Sequence, residues 1–302
     1  MKIRQSEKRN LSSLCLLLGY SRQAYYQQFR FREKEALQTE LLLQQVQRVR
    51  TRQKRIGSRK LLFMMNGFFE QHKIHIGRDA FFDLLRERGL LIRKRRFKKP
   101  RTTFSGFWLK KYPNLAKDLI PTAPNQLWVS DITYIAVADD FAYLSLITDA
   151  YSHKVVGFYL SRDLSAQGPI MALKMALKNN PERKNLIHHS DRGLQYYSNG
   201  YMKLLGNIRV SMSEKSDPLE NAIAERMNGI LKDELLEHYF ETYDEAQREV
   251  AVAISIYNHE RPHGSVNNLT PAMAHLQSGE LRKRWKNYYK PKSKPVMESV
   301  SF

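Results

Sequence analysis

Leu127-Trp128-Val129-Ser130-Asp131-Ile132-Thr133-Tyr134-Ile135-Ala136-Val137 reads as a β-strand, rich in β-branched and aromatic residues. Pro121 and Pro124 precede it, and Ala138-Asp139-Asp140 follows as the turn of a hairpin whose second strand is Phe141–Thr148. The first strand holds an aspartate at its centre. A carboxylate inside an otherwise apolar strand is costly to bury unless it is paired or binds a metal. The reading of Asp131 therefore governs the reading of the residues around it.

Further along, Val155–Leu160 is a third strand, Ala166–Lys178 a helix and Leu186–His189 a short buried strand. A helix (Tyr201–Leu205), a short strand (Ile208–Ser211) and a long helix (Asn221–Tyr239) complete the pattern. Three strands in succession, then alternating β and α, predict an α/β fold with a ribonuclease-H-like mixed sheet flanked by helices. The short strand runs into Asp191, just before Arg192-Gly193. Ligand sites in open α/β sheets lie off the carboxyl ends of strands. If the strands holding Asp131 and Asp191 are neighbours, the two carboxylates share one site. His188 and His189 read as packing or orienting residues of that strand end rather than metal ligands.

A third carboxylate comes from the long helix. At roughly 100° per residue, Asn221, Glu225, Asn228 and Lys232 fall on one stripe. Ile223, Ala224, Met227, Ile230 and Leu231 lie opposite. Two aspartates and a glutamate suit hard, oxygen-ligated cations such as Mg²⁺. Two such ions, roughly 3.5–4 Å apart, serve phosphoryl transfer.

Charge supplies the substrate class. The 302 residues carry 50 Lys+Arg against 30 Asp+Glu, a formal charge of +20, which points to an anionic partner and first to nucleic acid. The excess is concentrated. Arg93, Lys94, Arg95, Arg96, Lys98, Lys99 and Arg101 form a run without an acid, and Arg282–Arg284 opens a basic tail. A 42% hydrophobic content argues against a disordered chain. The single cysteine, Cys15, excludes an intramolecular disulfide and a cysteine-based zinc site. No apolar stretch approaches the roughly 18 residues of a membrane span. A soluble protein of a reducing compartment is expected, with no membrane partner.

The N-terminal part is all-α. Leu11–Leu18, the break at Gly19, the N-cap Ser21 and a helix from Arg22 to Phe31 make a helix-turn-helix pattern, with Arg22 and Gln23 as candidate DNA contacts. Ala36–Arg52 reads as a further helix, too short for a stable zipper. Ser58–Glu70 and Arg78–Arg88 form a second helical pair closed by Gly89. The expected organisation is a helix-turn-helix region (1–52), a second helix-turn-helix-like unit (53–92), a basic linker (93–122), the catalytic core (123–278) and a basic tail (279–302).

Four stretches together resemble a known family. They are Trp-Val-Ser-Asp131-Ile-Thr-Tyr-Ile, His-Ser-Asp191-Arg-Gly-Leu-Gln-Tyr, Glu-Asn-Ala-Ile-Ala-Glu225-Arg-Met-Asn-Gly-Ile-Leu-Lys232, and Tyr257-Asn258-His259-Glu260-Arg261-Pro262-His263 followed by Leu269-Thr270-Pro271-Ala272. They are similar to the OrfB-type transposases of the IS-three family of insertion sequences, relatives of retroviral integrases. The likeness extends to Leu14–Tyr26 and Arg78–Leu90 and so spans essentially the whole chain. Between Asp191 and Glu225 lie 33 residues, slightly fewer than is usual in the family.

The resemblance implies a DDE transposase, an enzyme that cuts the ends of its element and joins the freed 3′-OH to target DNA. Asp131, Asp191 and Glu225 would ligate two Mg²⁺, with Mn²⁺ able to substitute; Glu220 and Glu234 are the alternatives should Glu225 fail. Asn228, Lys232, Arg261 and His263 join Arg22, Gln23 and the basic run as candidate DNA contacts, with a turn-forming role equally open for Arg261 and His263. The implied partners are double-stranded DNA (terminal inverted repeats and target) and at least one further copy of the chain. An upstream-frame OrfA-type protein, or a frameshift fusion to it, is also implied, in a bacterial, nucleoid-associated cytoplasmic setting. Two rival readings are a non-catalytic DNA-binding regulator and a ribonuclease-H-type nuclease.

Overall fold

The computed structural model describes residues 11–92, 112–117, 119–138, 140–183, 185–213 and 222–284. The chain divides into two compact units, Met1–Ile92 and Arg93–Phe302. The basic run at 93–99, most of the linker and the end of the tail lie outside the described residues.

The first unit is helical. α1 (Leu11–Leu17) is followed by α2 (Arg22–Arg52), whose N-cap Ser21 accepts from the Ala24 N–H at 3.0 Å. α2 is one helix of 31 residues where two were expected. Arg32-Glu33-Lys34-Glu35 contains neither Gly nor Pro and consists of good helix formers, so nothing stops the helix there. α3 (Ser58–Met64) and α4 (Asn66–His72) divide at Met65 what was expected as a single helix. α5 (Arg78–Glu87) ends at Gly89, whose φ of 66° and the Leu90 N–H to Leu85 O bond make the expected glycine C-terminal motif. Leu42 and Val46 of α2 pack with Ile56, Leu61, Met65, Phe69, Phe81 and Leu85 in one cluster. The residues on either side of position 52 therefore share a core, and the expected boundary there separates no two folding units.

The second unit is built on a five-stranded sheet: β1 (Leu127–Val137), β2 (Asp140–Asp149), β3 (Val155–Ser161), β4 (Ile187–Ser190) and β5 (Arg209–Met212). Its order is β3-β2-β1-β4-β5; β1–β2 and β2–β3 are antiparallel, β1–β4 and β4–β5 parallel. α6 (Gln167–Asn179) and α7 (Asn199–Leu205) cover one face through Trp128, Ile147, Ala172, Leu173 and Tyr201. α8 (Ala222–Ile230) and α9 (Tyr243–His259) cover the other through Ile135, Leu144, Leu146, Met227 and Ile254. A short α10 (Pro271–Ala274) follows, capped by the Thr270 hydroxyl. This is the mixed sheet with helices on both faces that the alternating pattern predicts, the ribonuclease-H-like arrangement.

The long helix expected at 221–239 is shorter. After α8 the chain makes one π-helical turn, Leu231–Leu235, closed by the Leu236 N–H on Leu231 O at 2.8 Å, and then extends. Among the described residues no helix is long and apolar enough to cross a membrane.

Candidate active site

The β1–β4 ladder ends with Ser130 opposite Ser190, so the next residues of the two strands are Asp131 and Asp191. β1 runs on to Val137 beside β2, whereas β4 stops. Asp131 is thus in mid-strand and yet at the carboxyl end of its parallel pairing, where ligand sites of open sheets lie. Its parity along β1 points it, with Ile135 and Val137, towards the α8 face.

Local hydrogen bonds hold both side chains. Asp131 Oδ1 accepts from the Ile132 N–H at 2.9 Å, and Oδ2 accepts from the Asn228 side-chain amide at 2.6 Å. Asp191 Oδ1 accepts from the Gly193 N–H at 3.0 Å. A Cβ on Gly193 would lie 3.0 Å from that same oxygen, so the turn keeps its tightness by having no side chain. Burial, then the charge of Asp191, pushes the Asp131 carboxyl up to about 7, with Glu225 adding to the rise; the Ile132 and Asn228 donors oppose it. Asp191 is also raised, by burial, against the pull of the Gly193 N–H.

Glu225 stands on the exposed side of the first turn of α8. The structure brings Asp131 and Asp191 together and leaves Glu225 beside them; among the described residues no three His, Cys, Asp or Glu side chains close into an ion-holding cluster. Asn228, one turn below Glu225, is buried against Asp131 rather than offered to DNA. That corrects its expected role as a DNA contact, and the i, i+3 spacing from Glu225 was the signal for it. Lys232 Nζ lies 4.6 Å over the Tyr134 ring. His188 and His189 are buried, bonded to the Tyr201 hydroxyl and the Ser211 hydroxyl at 2.8 Å each.

In the 257–263 stretch, Tyr257, Asn258, Arg261 and His263 are buried. The Tyr257 hydroxyl donates to His153 O at 2.9 Å. The Asn258 amide both donates to and accepts from the Val155 backbone at 3.0 Å. β3 is an edge strand, so this amide stands where a neighbouring strand would be. Arg261 is buried and forks onto Glu234, with Nε–Oε2 and Nη2–Oε1 both 2.9 Å. The buried His263 ring stacks on His153 at 4.6 Å between centroids. Arg261 and His263 thus take the turn-forming role and not the DNA contact. Glu234, engaged by Arg261, is no substitute for Glu225. Arg22 and Gln23 are exposed at the start of α2; Arg93, Lys94, Arg95, Arg96, Lys98, Lys99 and Glu220 lie outside the described residues.

Two family profiles described as integrase core domain match residues 121–218 and 206–271, spanning the sheet, both aspartates and the α8–α9 layer. A 31 kDa protein of insertion element IS600 from Shigella sonnei is 35% identical over 268 residues, covering 86% of this chain and 96% of that protein. The transposase InsF of insertion sequence IS3A from Escherichia coli is 35% identical over 167 residues, covering 52% of this chain and 56% of that one. The chain belongs to the IS3 family of transposases. Among solved structures, the HTLV-2 integrase catalytic core domain in complex with magnesium is 18% identical with a TM-score of 0.41, covering 52% of this chain and 99% of that one. The transposase is a DDE enzyme of insertion-sequence transposition, with its integrase core on the five-stranded sheet.

Proposed function

We propose that this transposase cleaves the terminal inverted repeats of its element and joins the freed 3′ ends to target DNA, with Asp131, Asp191 and Glu225 holding two Mg²⁺ ions. The observation that carries the reading is the parallel β1–β4 register, which sets two half-buried carboxylates side by side. The donor set fits the group: these are hard oxygen ligands, crowded enough that Asp131 is hard to ionise without a compensating cation. Two Mg²⁺ held by Asp131, Asp191 and Glu225 would supply activation of the attacking oxygen and stabilisation of the leaving one.

The chain's own residues do the rest. Asn228 and the Ile132 N–H orient the Asp131 carboxylate, the Gly193 N–H orients Asp191, and Glu225 completes the donors from the helix side. Lys232, seven residues after Glu225, is a DNA contact at the site's edge. Arg22, Gln23 and the 93–99 run bind DNA away from it. Two ends must be joined, so the working form is at least a dimer on DNA, supplied with an upstream-frame partner or fusion, in the bacterial cytoplasm.

The test is a strand-transfer assay with end-containing DNA in Mg²⁺ or Mn²⁺, comparing the native chain with Asp131→Asn and Asp191→Asn. Joined products lost in both variants are expected. Nicked but never joined products would favour a nuclease, and end binding without any metal-dependent cutting would favour a regulator.

A further inference from the structure

We infer that Arg261 is a positioning residue for the active site: through Glu234 it fixes the rotation and axial position of the helix that carries Glu225 and Asn228. The inference rests on the proposed metal-binding role of Asp131, Asp191 and Glu225.

Glu234 lies in the π-helical turn that follows α8, with its side chain 17% exposed and turned to the face that meets α9. A carboxylate on that face needs a partner, and Arg261, just past the end of α9, supplies one. The guanidinium is 1% exposed and lies 5.6 Å over the Tyr257 ring. The π-helical turn containing Glu234 continues α8 without a break, since Ile230 keeps helical backbone angles. Glu225 and Glu234 are therefore two points on one helical rod, nine positions apart along it.

Elsewhere the rod is packed through Ala224, Met227, Ile230, Leu231 and Leu235, and beside Glu225 the Asn228 amide holds it to Asp131. Apolar contacts are non-directional and do not by themselves specify one angle. A two-pronged Arg–carboxylate pair has one geometry and resists both rotation and sliding. Buried ion pairs add little net stability over apolar replacements of similar size. Arg261 Nη1 is itself buried without a hydrogen bond among the described residues, a further cost in stability. What the pair does supply is orientation. A rod turned by a few degrees at Glu234 turns Glu225 and shifts the Asn228 amide on Asp131 Oδ2.

The experiment uses the full chain and Mn²⁺ as the probe. Melting temperature is followed as Mn²⁺ is titrated into the native protein, Asp131→Asn, Arg261→Lys, Glu234→Gln and the apolar pair Arg261→Met/Glu234→Leu. The native chain should show a Mn²⁺-dependent rise that Asp131→Asn abolishes. Arg261→Lys keeps the charge but loses the fork, and the apolar pair leaves no unpaired charge. In both, the half-saturating Mn²⁺ concentration should rise at least fivefold. In strand transfer kcat should fall at limiting Mn²⁺ and recover in excess, with KM for end DNA unchanged. Should the single variants misfold, the apolar pair alone decides. A half-saturating concentration within twofold of native in the folded variants, whatever happens to the metal-free melting temperature, overturns the inference and leaves the pair purely structural. No Asp131-dependent response in the native chain would instead overturn the metal-site reading, and this inference with it.

Discussion

The Asn228 side-chain amide donates to Asp131 Oδ2 at 2.6 Å, tying the helix that carries Glu225 to the strand that carries the first aspartate. The bond joins two elements 97 positions apart in the sequence. Asn228→Ala removes it and leaves the acid in place. Loss of a partner that orients a metal-site carboxylate costs roughly 10–100-fold in metal affinity or activity. Strand transfer should fall by about that factor while end binding in a gel-shift is kept. Native-like transfer would mean that Asp131 is oriented by the Ile132 N–H alone.

Glu225→Gln keeps size and helix propensity but removes a charge from the site. Glu225 is exposed, so stability should change little. Both end cleavage and joining should drop by about a thousandfold or more, the equivalent of several kcal/mol of transition-state stabilisation. DNA binding should persist. Joining within about tenfold of native would remove Glu225 from the metal site, and Glu234, held by Arg261, could not replace it.

Gly157 sits where β3 meets α6. A Cβ there would lie 2.2 Å from Ala172 O and 2.9 Å from Ala176 Cβ, both on a packed helix. Neither is the end of a flexible side chain, so Gly157→Ala must push α6 off the sheet. Overpacking of this kind costs typically 1–3 kcal/mol. A melting temperature lowered by several degrees is expected, and an unchanged one would show that α6 shifts freely.

Burial lowers His188 to about 3 and His153 to about 4 from the usual 6.5; for His153, Asp149 opposes the shift and Lys283 adds to it. Between pH 6.5 and those values the unfolded chain binds more protons than the folded one, so stability declines as pH falls through this window. Asp131, raised to about 7, acts in the opposite sense between its ordinary value and 7. His153 has a φ of 61°, which Asn tolerates. His153→Asn should therefore lose less melting temperature than the native chain between pH 7 and pH 5. An equal loss in both would show that His153 does not contribute to the acid limb.

Neutralising Arg93, Lys94, Arg95 and Arg96 should weaken DNA binding across sequences and flatten its salt dependence. Each lost phosphate contact removes about 0.9 from the log–log slope. A slope equal to the native one would make the run a solvated linker.

Several features were legible because they are written in neighbouring residues. The β-branched and aromatic content of Leu127–Val137 and its hairpin turn mark β1 and β2; Ser21 and Gly89 mark a helix start and a helix end; the apolar run before Asp191 marks β4. Period, caps and turns act within a few residues, so the chain alone specifies them, and the charged stretches with their flanking motifs already named the chemistry. Tertiary structure decided what depends on distant partners. Whether Asp131 and Asp191 meet was settled by β4 pairing in parallel with β1 and not with another strand. Asn228, Arg261 and His263 carry polar groups that could as well have faced DNA. Their roles were fixed when packing brought Asp131, Glu234 and His153 against them, because a buried polar group takes the partner that the surrounding core brings within reach.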